Sequence, residues 1–127
     1  MKGLFLSLLV LVILSNTSCR KAKHTATELD GTWERIYSSD GRYLGMEVSC
    51  SNGVGTITST PDGSFNVGQG KWNSITPVVS ALYRFTAQEL GSDGEYYNST
   101  INTIGDTLVI NVSFSAAPGY EQKWIRK

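Results

Sequence analysis

The chain has 127 residues, a formal net charge of zero and 40% hydrophobic residues, the size of one domain. Thirteen glycines, six tyrosines and three tryptophans, among many Ser, Thr, Val and Ile residues, point to a β-rich fold with tight turns. Arg20, Lys21 and Lys23 crowd one short segment, whereas Glu28 to Lys127 holds eleven acidic and seven basic side chains, so no basic stripe remains to favour nucleic acid.

Met1-Lys2 is positively charged, and Gly3 to Leu14 is an apolar run of twelve residues. That is the length of a signal-peptide core and too short for a spanning helix, which needs about 20 residues. Ser15-Asn16-Thr17-Ser18 follows, and then Cys19. A cysteine directly after such a run resembles the bacterial lipoprotein signal, although Asn16 stands where that family carries a leucine. The resemblance implies cleavage after Ser18 and a diacylglycerol thioether on Cys19. An ordinary secretory signal, or an uncleaved anchor with Cys19 incidental, is the competing reading. Residues 1–18 are thus expected to be a signal peptide, 19–28 a lipidated cysteine with a basic tether, and 29–127 the folded domain. The tether's Lys and Arg residues would each add about 1 kcal/mol of attraction beside an anionic surface; the alternative is a solvated linker with incidental charge.

With Cys19 lipidated, Cys50 has no partner for an intramolecular disulfide. Cys50 alternates with Leu44, Met46 and Val48, which predicts a small buried hydrophobe. The one histidine, His24, falls in the tether, away from Cys50 in sequence.

From Leu29 the hydrophobic period is two, with turn signals every 8–12 residues or so, as in a sandwich or barrel. The first strand is expected over Thr32 to Ser38 and the second over Tyr43 to Cys50, split by Ser39-Asp40-Gly41. Asn52-Gly53 is a hairpin turn, and Val54 to Thr60 the third strand, stopped by Pro61-Asp62-Gly63. Ser64 to Val67 is expected to be a short strand, with a bend at Gly68-Gln69-Gly70 before Lys71 to Ile75. A loop then leads to a strand from Leu82 to Thr86, and Thr86-x-x-Glu89 matches a capping box that would close one helical turn through Leu90. Tyr96 to Ile104, Thr107 to Phe114 and Tyr120 to Arg126 complete eight or nine strands. A sheet this long has exposed edges, and closure into a single up-and-down barrel removes them.

Gly31-Thr32-Trp33 at the start and Trp124-Ile125-Arg126 at the end of this domain resemble the closure of lipocalin-like barrels. The resemblance implies that Trp33 plugs one end, Gly31 lets the backbone approach there, and Arg126 or Lys127 lies across the indole, with Trp124 on the closing strand. The chain is shorter than a full lipocalin and looks more like the compact lipocalin-like domains of small bacterial lipoproteins. For that group the resemblance implies location and fold, with no settled activity.

No Cys-x-x-Cys, Gly-x-Ser-x-Gly elbow or phosphate loop occurs, and no cofactor or metal is expected. Asp93-Gly94-Glu95 is read as a hairpin turn rather than a cation loop. The aromatic residues are open to two readings, a core or a ligand-binding mouth, with Tyr83, Phe85, Tyr97 and Tyr120 as the candidates for lining a mouth. The expected function is a non-enzymatic envelope lipoprotein that binds a small apolar or amphipathic ligand or another envelope component. The alternative is a structural or protein-interaction module with a filled core.

Overall fold

The computed structural model describes residues 23–114 and 117–127; Cys19 and the residues expected to form a signal peptide lie outside the described residues. Strands β1 (Gly31–Ser38), β2 (Glu47–Ser51), β3 (Val54–Ser59), β4 (Gly70–Pro77), β5 (Arg84–Leu90), β6 (Tyr96–Ile104), β7 (Thr107–Phe114) and β8 (Ala117–Arg126) follow a short 3-10 helix, Ala26–Leu29. Each strand pairs antiparallel with the next, and β8 pairs with β1, so the chain forms one closed eight-stranded up-and-down barrel. Closure satisfies the edge groups that an open sheet would expose.

Chain direction gives the barrel two different ends. The 3-10 helix, the β2–β3, β4–β5 and β6–β7 turns and the C-terminus gather at one end, the floor. The β1–β2, β3–β4 and β5–β6 connections surround the other, open end. At the floor, Leu29 is fully buried, and Trp33 Nε1 donates to the Leu29 carbonyl at 2.8 Å. Arg126 lies directly opposite Trp33 in the β1–β8 register, and its guanidinium stacks 4.3 Å from that ring. The same guanidinium donates to the carbonyls of Asp30 (2.6 Å) and Glu28 (3.3 Å), tying the last strand to the helix. Gly31, at φ 131°, leaves the space: a Cβ there would stand 2.7 Å from Arg126 Nη1.

Above the floor the interior is filled. Trp33, Met46, Val48, Ile57, Trp72, Phe85, Ile101, Leu108, Ile110 and Trp124 are all fully shielded from solvent. Trp72 and Trp124 meet edge to face at 4.9 Å, a geometry that matches ring quadrupoles. Gly55 on β3 makes room for this packing, since a Cβ there would meet Trp72 Cε3 at 2.6 Å and Val48 Cγ1 at 2.9 Å.

Four local expectations are corrected. The second strand begins only at Glu47, because Tyr43 (φ 60°) and Gly45 (φ 87°) bend the chain and leave Leu44 exposed. Ser64 to Val67 is no strand: Gly68 N–H bonds Ile57 O and Gln69 N–H bonds Asn66 O, which folds a loop with Phe65 buried beneath it. The strand expected over Leu82 to Thr86 is β5, shifted to Arg84–Leu90. The helical turn expected at Thr86-x-x-Glu89 is absent, since β5 pairs residue by residue with β6 and the ladder outweighs a local cap. The helix Ala26–Leu29 straddles the expected 28/29 boundary, and His24 already stacks on Phe85 with ring centroids 4.7 Å apart.

Candidate functional site

The inward positions of a small barrel are apolar unless a polar group finds partners there. In β1 the inward phase runs from Trp33 to Arg35; in β5 it runs Phe85, Ala87, Glu89; in β8 it runs Gln122, Trp124. Near the open end these phases, together with Lys71 of β4, bring Arg35, Lys71, Glu89 and Gln122 together, each no more than 2% exposed.

Glu89 Oε1 is the hub. It accepts from Gln122 Nε2 at 2.7 Å, stands 3.0 Å from Lys71 Nζ, and faces Arg35 Nη2 at 3.7 Å. Gln122 Oε1 in turn accepts from Trp124 Nε1 at 2.9 Å. Lys71 Nζ also donates to the Leu90 carbonyl and lies 4.6 Å from the Phe65 ring. The Arg35 guanidinium is held between aromatic faces, 4.8 Å from Trp124 and 5.8 Å from Tyr43. Two buried cations therefore share one buried carboxylate. Desolvation lowers the pKa of both Arg35 and Lys71, and Glu89 opposes the fall in each case.

Several polar atoms in this cluster make no hydrogen bond with the described residues: Arg35 Nε and Nη2, Trp72 Nε1 and Glu89 Oε2. Three of the four are donors, so the cluster offers more N–H groups than acceptors. Such orphans are uncommon inside folded proteins, where buried polar groups nearly always find a partner.

Above the cluster lies a cavity of about 220 Å³, with Arg35, Lys71, Glu89 and Gln122 toward the barrel and Tyr43, Phe65, Leu90 and Tyr120 among its walls. Asp40 and Ser92 stand exposed at its mouth. Asp40 Oδ1 is engaged by Ser38 Oγ, the Arg42 N–H and Tyr120 OH, each at 3.0 Å. Burial pushes the Tyr120 phenol up to about 12, so it stays protonated and donates at neutral pH. A second cavity, about 290 Å³, is lined by Ser74, Thr86, Ala87, Gln88, Asn98, Ser99, Thr100 and Ser113, with no charged or aromatic side chain. Of these two cavities, the open-end one is the smaller but combines apolar walls with convergent charge, as small-molecule sites do.

The sequence candidates are dispersed. Tyr120 lines the open-end cavity. Tyr97 packs against the core from the start of β6 and donates its hydroxyl to Asp93. Phe85 is buried near the floor under His24, and Tyr83, at 71% exposure, stands in the floor turn between β4 and β5. Gly31, Trp33 and Arg126 form the floor contact described above, while Trp124 belongs to the charged cluster. Cys19 lies outside the described residues. Cys50 is 3% exposed with its thiol pushed up to about 11, chiefly by burial, which makes it a poor nucleophile near neutral pH. Arg35, Lys71, Glu89 and Gln122 were not candidates on sequence. Among the described residues no group of three or more His, Cys, Asp or Glu is placed to hold a metal ion.

No protein-family model, curated protein or solved structure matches this chain.

Proposed function

We propose that this chain is a lipid-anchored cell-envelope protein whose lipocalin-like barrel binds a small amphipathic molecule and performs no chemistry on it. The observation that carries the reading is the open-end cavity, with aromatic walls above a buried charged base. Its volume, about 220 Å³, is below the roughly 300–1,000 Å³ of drug-sized sites. At about 30 Å³ per water-sized group, it suits a ligand of roughly seven to ten non-hydrogen atoms.

The two ends of the barrel support the same arrangement. His24 and the 3-10 helix lie at the floor, so an anchor at Cys19 would tether that end. The floor turns carry exposed Val79, Leu82, Tyr83 and Ile104, with Thr103 N–H bonded to Tyr83 O. Apolar turn tips beside the tether suit a lipid surface and leave the cavity mouth facing away from it.

A second reading, a filled barrel acting as an interaction module, is favoured by the solid tryptophan-rich interior below the cavity. Native mass spectrometry of protein extracted gently from membranes separates the two. The expected spectrum shows diacylglycerol mass on Cys19 together with a non-covalent companion small enough for the cavity. Protein that flies consistently without a companion supports the filled module, and an unmodified Cys19 removes the anchor.

A further inference from the structure

We propose that the ligand of the open-end cavity is a small apolar carboxylate, its anionic head held between Arg35 and Lys71. This rests on the reading of the barrel as a small-molecule binder and adds the charge and head group.

The argument begins with charge. Arg35 and Lys71 are each 2% exposed and Glu89 is 1% exposed, so the buried cluster carries two cations and one anion. Asp40 acts on Arg35 only from the exposed mouth, where its carboxylate already accepts from Ser38, Arg42 and Tyr120, so it offsets the buried cations weakly. A buried cation without a counter-charge is costly, and an entering anion removes that cost.

Hydrogen bonding gives the same sign. Arg35 Nε and Nη2 are buried and find no acceptor among the described residues. Both cations line the cavity, one from β1 and the other from β4. The guanidinium fork donates two parallel N–H bonds that a carboxylate accepts, and the ammonium adds a point charge beside it. The guanidinium of Arg35 lies against the rings of Trp124 and Tyr43, which leaves its N–H edge as the part that can meet the ligand. A single surplus positive charge suits a monoanion better than a phosphate monoester, which would over-neutralise the site. The remaining walls, Tyr43, Phe65, Leu90 and Tyr120, accept a short hydrocarbon or aromatic body.

Hexanoate and hexanamide make the test, because they share size and shape and differ in charge. The full chain in lipid nanodiscs is titrated with each at matched ionic strength, with empty nanodiscs as the blank. Hexanoate should bind at least about tenfold more tightly, the difference between a charge-assisted and a neutral hydrogen-bonded head. Arg35→Met should abolish that preference. Should this variant fail to fold, Lys71→Met, which removes the surplus buried charge, should erase most of the preference of hexanoate over hexanamide. Equal affinity for the two compounds overturns the carboxylate assignment and leaves the small-molecule reading standing. Binding of neither compound overturns both.

Discussion

Glu89→Gln should lower stability by about 3–5 kcal/mol at neutral pH, measured by urea unfolding, because it leaves two buried cations with no counter-charge. The substitution keeps size and most hydrogen-bonding capacity, so the loss reports charge rather than a cavity. Lys71→Met should behave in the opposite way, neutral or stabilising, since it leaves Arg35 and Glu89 as a balanced pair. The Glu89→Gln deficit should also shrink as pH rises. Lys71 is lowered from 10.5 by desolvation, and Glu89 is the first group that raises it back. A cation whose folded pKa lies below its unfolded value sheds its proton first in the folded state, so stability rises with pH across that window. Without Glu89 the window opens at lower pH. Tyr120, near 12, and Cys50, near 11, hold their protons in folded wild type and variant alike, so they cancel from the difference.

The floor carries the second large effect. Trp33→Ala should cost about 3–5 kcal/mol, the usual range for emptying a fully buried aromatic site. Arg126→Ala should cost less, on the order of 0.5–2 kcal/mol, because the guanidinium is partly exposed and its attraction to the ring is modest. The two losses should be non-additive, since the groups touch at 4.3 Å, and a double-mutant cycle in urea measures the coupling. Lys127 should show no such coupling to Trp33, as its ammonium pairs instead with Glu47. Full additivity of Trp33 and Arg126 would mean that their contact contributes nothing to closing the barrel.

The barrel was legible because its signals are local and repeated. Alternation in Thr107–Phe114 and turn residues at Asn52-Gly53 and Gly105-Asp106 each specify a strand or a hairpin without reference to the rest of the chain. Where local signals compete with pairing they mislead. Thr86-x-x-Glu89 carries a helix cap by pattern, yet β6 supplies an unbroken ladder along β5 and β4 pairs on the other side with one bulge.

The charged cluster was hidden for a different reason. Arg35 follows Trp33 by two, and Glu89 follows Phe85 and Ala87 in the same phase, so period alone would have turned both inward. The general preference of charged residues for solvent argues against that placement. It is overridden only because each finds the other across the barrel, a pairing that depends on closure. Lys71 gives no phase signal at all, since it and its neighbour Trp72 are both buried where the β3–β4 register shifts and passes over Lys71. Tyr83 and Phe85 show the converse. Aromatic composition left core and mouth both open for them, and strand direction carries both residues toward the floor.

The claim that the open end takes the ligand is tested most directly by an amide map of the folded protein. Nitrogen-15 spectra recorded while hexanoate is added should show shifts at Tyr43, Phe65, Gly91 and Ser92, around the cavity, and none at Asn52, Thr103 or Ile104 on the floor. Shifts confined to the floor turns, or to Gln88 and Asn98 at the uncharged second cavity, would contradict it.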